Sequence, residues 1–254
     1  MHTFDKKIKD RYYAQSLFEH IGIKGQKRLA ESKAVVVGCG GLGSVIANNL
    51  ARAGIGFIKL IDKDYVEINN LSRQVLFNET DAEKETPKSL AAKKWLESVN
   101  SEITIEAIPD EVNKGNIGKY ISNSDLVLDG TDNFKTRFLI NDTCVRKKIP
   151  WIYGSVAASY GMVCDIIPGR TPCFRCMFTE KISKGEALSS SNVGVINPAV
   201  NVVASIQTVE ALKILTGNID DLVKGIIYLD IWNYELEVID VKRNENFRCP
   251  ICGS

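Results

Sequence analysis

The sequence predicts an α/β protein with a mostly parallel sheet, helices on both faces of the sheet, and antiparallel strands added towards the C-terminus. Short apolar runs alternate with helical patterns through residues 33–150, which is the order of a parallel sheet covered by helices. After residue 150 the apolar runs follow one another around glycines, as antiparallel strands do. At 254 residues the chain is long enough for one domain, 1–254, with a large buried core.

The elements follow in a regular order in the first part of the chain. Helical spacing of apolar residues predicts two helices between residues 11 and 33. KAVVVGCG is predicted to be a buried strand that ends at a glycine turn, and LGSVIANNLARAG a helix that ends at Gly54. Further strands are predicted at FIKLID, ITIEAIP and DLVLDGTD, and further helices at PKSLAAKKWLESVN, NIGKYIS and NFKTRFLINDTCVRKK.

The remaining residues show a different pattern. PWIYGSVAASYGMVCDIIPG predicts two strands, VVASIQTVEALKILTG a helix closed by Gly217, and GIIYLDIWNYELEVIDVK a terminal hairpin. The polar segment 179–192 has no clear periodicity, so we expect a mobile crossover loop there.

Composition and charge argue against several classes of protein. Hydrophobic residues make up 44% of the chain and the net charge is +1, so no strong field indicates a nucleic-acid or anionic-lipid partner. The charged N-terminal stretch and the lack of a run of roughly 20 apolar residues predict a cytoplasmic protein without a membrane span. The only histidines are His2 and His20, which argues against a Ser-His-Asp triad or a histidine-rich metal site.

A glycine turn after the first strand indicates a nucleotide. Gly40 and Gly43 let the backbone approach a phosphate at a helix start, and the carboxylate of Asp62 can accept from ribose hydroxyls. This order predicts a Rossmann-like nucleotide-binding half at 33–150. The N-terminal helices of 1–32 precede it, and the antiparallel strands, crossover loop and C-terminal tail of 151–254 follow it. On these residues alone a NAD-dependent oxidoreductase remains an alternative.

The polar residues that follow favour a triphosphate. Asn70, Arg73 and Gln74 come just after the ribose-binding position, and Lys88 begins a predicted helix. A redox cofactor has no evident need of a guanidinium there. The charge of a triphosphate, however, must be neutralised before a nucleophile approaches.

Two aspartates lie at the end of a predicted parallel strand, Asp129 and Asp132. The carboxyl end of such a strand faces the ligand crevice, where a carboxylate could hold Mg²⁺ against phosphate oxygens. Considered alone, each of these charged residues would more often be a solvated surface group than a site residue. Their joint position at strand ends and helix starts favours a site for a magnesium nucleotide.

Four of the seven cysteines form two Cys-x-x-Cys pairs. These are Cys173, Cys176, Cys249 and Cys252. Two such pairs predict a closed tetrathiolate zinc site with a structural role, which would pin the C-terminal tail to the start of the crossover. A thioredoxin-like redox use is the alternative, and it is weaker because neither pair opens a helix after a first strand. Cys39, Cys144 and Cys164 lie in predicted buried elements and are expected to be inert.

As a set, these motifs resemble those of the ThiF/MoeB (HesA/MoeB/ThiF) adenylyltransferases, bacterial relatives of the ubiquitin-activating enzymes. The resemblance runs from RYYAQ at Arg11 to the terminal CPICGS and includes NLSRQ, PKS and GTDN. It implies a homodimer with structural zinc that uses ATP and Mg²⁺ to adenylate a small ubiquitin-like sulfur carrier, ThiS-like or MoaD-like. The C-terminal glycine carboxylate of the carrier's Gly-Gly would become an acyl-AMP with release of pyrophosphate. A persulfide protein would then donate sulfur.

The resemblance also implies a role for each matching residue. The ATP-binding residues would be Gly40, Gly41, Gly43, Asp62, Asn70, Arg73, Gln74, Lys88, Asp132 and Asn133. Arg73, Lys88 and Asp132 would be catalytic, with the two cations on the phosphates and Asp132 on Mg²⁺. The four paired cysteines would bind zinc. An ionised carboxylate nucleophile needs no general base, which agrees with a site without histidine.

Two positions depart from the family pattern. Ala14 stands where an arginine usually reaches the partner subunit's nucleotide. Two alternatives follow: Arg11 or a lysine substitutes for it, or the reaction is slower. Ser190 stands where many members carry a cysteine in the crossover loop, so no thioester or acyl-disulfide is expected through that loop. These departures leave open two further alternatives. One is adenylation of another peptide carboxylate, such as a peptide-antibiotic precursor, and the other is a binding module without turnover.

Overall fold

The computed structural model describes residues 10–178, 193–241 and 248–253. Its strands are β1 (Lys33–Val37), β2 (Phe57–Ile61), β3 (Thr104–Ile108), β4 (Leu126–Asp129), β5 (Trp151–Ala157), β6 (Tyr160–Ile166), β7 (Ile226–Asp230) and β8 (Glu235–Ile239). Its helices are α1 (Tyr13–Ser16), α2 (Gly22–Glu31), α3 (Gly41–Ala53), α4 (Glu79–Glu83), α5 (Lys88–Val99), α6 (Ile117–Tyr120), α7 (Phe134–Lys147), α8 (Phe174–Met177) and α9 (Asn197–Thr216). The crossover loop predicted at 179–192 lies outside the described residues.

The strands form one continuous sheet in the order β3-β2-β1-β4-β5-β6-β7-β8. From β3 to β5 all neighbours are parallel, and from β5 to β8 all neighbours are antiparallel. The predicted fold class is therefore confirmed, including the extension by C-terminal antiparallel strands. Strands β2 and β3 are added on one side of β1, whereas β4 and β5 are added on the other side. The order of strand addition therefore reverses between β1 and β4, although the strands remain parallel. Ligands of open α/β sheets bind at such a reversal.

Two hydrophobic cores cover the two faces of the sheet. Side chains alternate across a strand, so Ala34 and Val36 enter one core while Val35 and Val37 enter the other. Helices α2, α3, α5 and α9 cover the first face, and α6, α7 and α8 cover the second. With both faces covered, the central strands β1 and β4 are buried and apolar except for Lys33 at the start of β1 and Asp129 at the end of β4, which is why the sequence pattern could locate them.

Helix α9 is more apolar than the sequence analysis indicated. Its 20 residues, with a mean hydropathy of 1.2, are long and apolar enough to cross a membrane by length and composition. In the folded protein 61% of that stretch is buried, and the helix packs on β4, β5 and β6. Its buried polar residues, among them Gln207 and Glu210, are typical of a core helix that finds hydrogen-bond partners within a protein.

Among the described residues, four short elements were not predicted. They are α4, α8 and the 3₁₀ turns Ile68–Asn70 and Ile219–Asp221. None is longer than five residues, so none can display a helical period. Helix α4 is instead specified by a capping box, in which Asn78 accepts from the Asp81 N–H and Asp81 accepts from the Asn78 N–H.

Candidate functional site

The carboxyl ends of the parallel strands open onto a crevice of about 1760 Å³. Nine of the ten residues predicted to bind the nucleotide line it, namely Gly40, Gly41, Asp62, Asn70, Arg73, Gln74, Lys88, Asp132 and Asn133. They come from five separate connections along the chain. The fold therefore brings the predicted residues to one place, at the sheet reversal between β1 and β4.

Gly43, the tenth residue, lies behind the glycine turn. A Cβ atom there would stand 1.8 Å from the carbonyl oxygen of Gly38, so the absence of a side chain lets α3 pack closely against the end of β1. Gly40 differs, because a Cβ at that position would have only Gln74 Nε2 near it, at 3.9 Å. The space in front of Gly40 belongs to the crevice.

Helix α3 presents its N-terminus to this space. Within the part of the chain that the structure describes, no side chain accepts a hydrogen bond from the first-turn N–H groups that follow the N-cap, Gly40. These groups and the helix dipole attract negative charge, and together they make a phosphate site when the backbone can be approached. The approach is open because Gly40 and Gly41 carry no side chains.

Asp62 lies at the end of β2 and is fixed by two backbone donors. Its Oδ2 accepts from the Cys39 N–H at 2.6 Å and its Oδ1 from the Asp64 N–H at 2.8 Å. Burial raises the pKa of Asp62, against the opposing effect of these hydrogen bonds and of Lys88. A carboxylate has about four acceptor positions, so two remain for hydroxyl donors of a ligand.

Two buried amides in the crevice have unused acceptors. Asn70 and Gln74 are 7% and 4% exposed, and neither Asn70 Oδ1 nor Gln74 Oε1 has a partner within the described residues. A buried polar atom left unpaired costs about 1–3 kcal/mol. Native proteins rarely retain such atoms unless a ligand or water pairs with them. These amides therefore indicate a place for a polar ligand.

Two cationic side chains line the crevice, and neither has a close carboxylate partner among the described residues. Arg73 Nη1 donates to the Asn69 carbonyl at 3.2 Å, and no carboxylate of the described residues forms an ion pair with this guanidinium. Lys88 begins α5 and is only 7% exposed, yet its nearest carboxylate oxygen, on Asp64, is 3.7 Å away. An enclosed ammonium with one distant and half-exposed partner is well suited to a polyanionic ligand.

The loop after β4 separates the two candidate aspartates. Asp129 is fully buried and its carboxylate binds Arg137 and Thr131, so it is committed within the protein and does not face the crevice. Asp132 is exposed on the crevice wall, where Asn133 Nδ2 lies 3.5 Å from its Oδ1. The structure thus leaves Asp132, and not Asp129, as the carboxylate available to a cation.

Asn133 also has a structural role. Its side-chain oxygen accepts from the Thr136 N–H at 2.9 Å and caps α7. Arg137, one turn further along α7, was missed by the sequence analysis. An arginine between Phe134 and Phe138 was the available signal, because charged residues are seldom buried unless they are paired.

The four predicted metal-binding thiols converge, with all Sγ atoms within 4.8 Å of one another. Cys173 Sγ lies 3.6 Å from Cys249 Sγ, and Cys176 Sγ lies 3.5 Å from Cys252 Sγ. A tetrahedral zinc site with Zn–S bonds of about 2.3 Å has sulfur atoms about 3.8 Å apart. The cluster therefore fits a metal ion, and none of its four cysteines lines the crevice. Cys173 is also the N-cap of the short helix α8, which the sequence analysis did not foresee.

The other three cysteines are buried, as predicted. Cys39, Cys144 and Cys164 are at most 5% exposed, and burial raises the pKa of each thiol. A buried protonated thiol is a poor nucleophile.

The N-terminal departure from the motif lies away from the crevice. Ala14 is exposed on α1. Arg11 Nη1 donates to the Val99 carbonyl at 3.0 Å, at the opposite end of α5 from Lys88. In its own chain Arg11 therefore does not reach the crevice. The other departure, Ser190, lies outside the described residues.

Comparisons with known proteins match nearly the whole length of the chain. A family model described as the ThiF family matches residues 12–251. The sulfur carrier protein ThiS adenylyltransferase of Bacillus subtilis is 40% identical, over 96% of this chain and 71% of its own length. The SAMP-activating enzyme E1 of Haloferax volcanii is 34% identical, over 96% of this chain and 88% of its own length.

Solved structures are similar over the same extent. The crystal structure of Escherichia coli MccB with ATP has a TM-score of 0.82 and 28% identity, and the match covers 96% of this chain and 74% of that one. The structure of MccB with AMPCPP and MccA gives a TM-score of 0.82, 28% identity and coverage of 96% and 75%.

Proposed function

The chain belongs to the ThiF family and is an adenylyltransferase, and from this premise we propose that it adenylates a small ubiquitin-like sulfur carrier with ATP. The target is the carboxylate of the carrier's C-terminal Gly-Gly, and the products are an acyl-AMP and pyrophosphate. The observation that carries the proposal is the pair of undercompensated cations, Arg73 and Lys88, facing the open N-terminus of α3. Family membership sets aside the NAD-dependent alternative.

The reaction is a displacement at the α-phosphorus of ATP. A carboxylate oxygen forms a bond to that phosphorus, and the bond from phosphorus to the oxygen bridging the β-phosphate breaks, so that pyrophosphate leaves with the electron pair. The carboxylate is ionised at neutral pH, with a reference pKa near 3.5, so no base is required. The protein therefore contributes positioning and charge stabilisation, as in phosphoryl transfer generally.

Each lining residue has a proposed role in that task. The first turn of α3, opened by Gly40 and Gly41, receives phosphate oxygens, and Asp62 receives the ribose hydroxyls. Asn70 and Gln74 use their unpaired amide atoms on the nucleotide. Arg73 and Lys88 stabilise the charge that shifts onto the leaving pyrophosphate. Asp132 would hold Mg²⁺, which supplies further neutralisation of the phosphates, and Asn133 lies next to it.

We further propose that the ion held by the four converging thiols is zinc. A four-thiolate site is closed to substrates, so the role is structural. It ties the tail at 248–253 to the segment that contains α8. We also propose that the chain acts as one unit of ThiF type, as a cytoplasmic homodimer whose acyl-AMP product is consumed by a persulfide-donor protein.

Pyrophosphate exchange tests the proposed reaction. Isotope from labelled pyrophosphate should enter ATP only when a ThiS-like or MoaD-like carrier is present, and intact mass measurement should detect the carrier bearing AMP. The matched control is the same carrier without its last glycine, which lacks the required terminus. Exchange that is independent of any carrier, or absent with every carrier, contradicts the proposal.

A second candidate substrate is a peptide carboxylate that does not belong to a ubiquitin-like carrier. It is favoured by the similarity to MccB, whose structures include complexes with MccA, and by Ser190 in place of a loop cysteine. Exchange supported by a short peptide, but not by the carriers, would favour this reading. A protein that binds ATP but exchanges with neither would be a binding module.

A further inference from the structure

We propose that Arg137 is a positioning residue for Asp132, because it ties the loop that carries Asp132 to the neighbouring strand β5. The inference rests on the proposed function, in which Asp132 holds the metal of a metal–nucleotide complex. Arg137 borders the crevice but is buried, at 6% exposure, and its described contacts are made within the protein. It acts through the backbone next to Asp132.

The pairing between strands β4 and β5 is short. Strands β4 and β5 pair at Val127 with Trp151 and at Leu128 with Ile152, and their ladder ends there. Beyond that point the guanidinium of Arg137 connects the loop that follows β4 with strand β5. Its Nη2 donates to the Thr131 carbonyl at 2.7 Å and to the Gly154 carbonyl at 3.1 Å. The side chain thus replaces the missing ladder bonds where the two strands enter the crevice.

Asp129 completes the arrangement from the other side of the loop. Its Oδ2 accepts from Arg137 Nε at 3.0 Å, while its Oδ1 accepts from the Thr131 N–H at 2.9 Å and from Thr131 Oγ1 at 2.6 Å. Both the N–H and the carbonyl of Thr131 are therefore fixed. The next residue in the chain is Asp132, so its backbone position follows from this arrangement.

The setting requires an arginine. The guanidinium carbon lies 5.1 Å from the centre of the Tyr153 ring and 5.7 Å from that of Phe134, so the planar group stacks among aromatic rings. The guanidinium donates from Nε to a carboxylate and from Nη2 to two carbonyls at once. The single nitrogen of a lysine ammonium cannot occupy both donor positions. With the guanidinium lost, the loop gains backbone freedom and Asp132 no longer has a single position.

The test uses the full-length Arg137→Lys variant and a probe of metal binding that does not depend on turnover. The affinity for Mn²⁺ in the presence of ATP is measured by electron paramagnetic resonance, and the Mg²⁺ concentration for half-maximal pyrophosphate exchange is measured alongside. We expect Mn²⁺ affinity to fall and the Mg²⁺ midpoint to rise, each by about 10-fold. We expect kcat to fall by up to about 100-fold, which is the scale of a misplacement near 1 Å.

The matched control is Lys59→Met. Lys59 Nζ also donates to a backbone carbonyl, that of Tyr120 at 3.2 Å, and also pairs with a carboxylate, that of Glu106 at 3.4 Å. It does not line the crevice. We expect this variant to lose thermal stability and to keep the wild-type affinity for Mn²⁺.

If Arg137→Lys does not fold, the double variant Asp129→Asn/Arg137→Gln replaces the buried ion pair with a neutral pair and leaves no lone buried charge. Wild-type Mn²⁺ affinity and Mg²⁺ midpoint in a folded Arg137 variant overturn the inference. The Mn²⁺ measurement also separates this inference from the proposed function. A wild-type protein that binds Mn²⁺ with ATP but exchanges with no carrier or peptide contradicts the reaction alone.

Discussion

Asp165 and Glu210 form a buried carboxyl pair between strand β6 and helix α9. Their side chains are within hydrogen-bond reach of each other, and the residues are only 3% and 2% exposed. Burial raises the pKa of Asp165 to about 9, with the neighbouring Glu210 as a further cause. Lys213 Nζ approaches Glu210 Oε1 at 2.6 Å. The ammonium thus lies against Glu210, while burial favours the protonated form of Asp165.

This pair predicts a pH-dependent stability. In the unfolded chain Asp165 releases its proton near pH 3.9, whereas the folded protein holds it up to about pH 9. Folding therefore takes up a proton within this window, and the free energy of unfolding falls as the pH rises, by at most about 1.4 kcal/mol per pH unit. Asp165→Asn should remove this slope, so that its stability relative to the wild type is higher at pH 8 than at pH 5.

Urea unfolding at pH 5, 6.5 and 8 measures the slope. Glu237→Gln, on the exposed strand β8, is the control and should keep the wild-type pH dependence. An Asp165→Asn protein whose stability falls with pH as steeply as the wild type would contradict the protonation assignment.

Arg73→Ala is expected to abolish most of the exchange activity without loss of the fold. Removing one preorganised charge-stabilising group costs about 2.7–4 kcal/mol of barrier, or roughly 10²- to 10³-fold in rate. Among the described residues the Arg73 side chain makes one hydrogen bond, to the Asn69 carbonyl, so the free energy of unfolding should change by less than about 0.5 kcal/mol. Arg52→Ala, an exposed arginine on α3 that bonds Asn48, should leave exchange unchanged. Near-wild-type exchange in Arg73→Ala would show that the guanidinium is not used.

The two glycines of the turn should respond differently to alanine. A Cβ at Gly40 has room within the protein but enters the phosphate space, so Gly40→Ala should fold and lose the thermal stabilisation that ATP with Mg²⁺ provides. A Cβ at Gly43 would meet the Gly38 oxygen at 1.8 Å, so Gly43→Ala should lose about 3 kcal/mol or more of stability. Thermal unfolding with and without the nucleotide measures both effects. A Gly40→Ala protein with undiminished stabilisation by ATP would place the phosphates elsewhere.

Loss of one thiol should release the metal. Cys252→Ser is expected to purify with little zinc and a lower Tm, because binding free energy at a structural site is folding free energy. Elemental analysis and thermal unfolding provide the measurements. The control Cys144→Ala removes a buried thiol outside the cluster, and it should keep the metal. Equal zinc content in both variants would contradict the four-thiolate assignment.

Much of the site was predictable because its residues stand at fixed offsets from elements with strong patterns. The strand before Gly40 is a continuous apolar run and the strand before Asp62 is apolar except for Lys59. The carboxyl ends of parallel strands meet at one edge of a sheet. The two Cys-x-x-Cys pairs are likewise recognisable as metal ligands from the spacing within each pair, whatever the length of chain between the pairs.

Other features depend on contacts between distant residues. The sequence alone determined the fold class, the family and the set of polar residues at the strand ends. Only the tertiary structure decided that Asp129 is buried against Arg137 while Asp132 faces the crevice, and that Gly43 serves packing while Gly40 faces open space. The physical reason is that the periodicity and composition of a sequence show which side chains are apolar and therefore which are buried. Whether a polar side chain is exposed to a ligand or paired inside the protein is set by what the rest of the chain places against it.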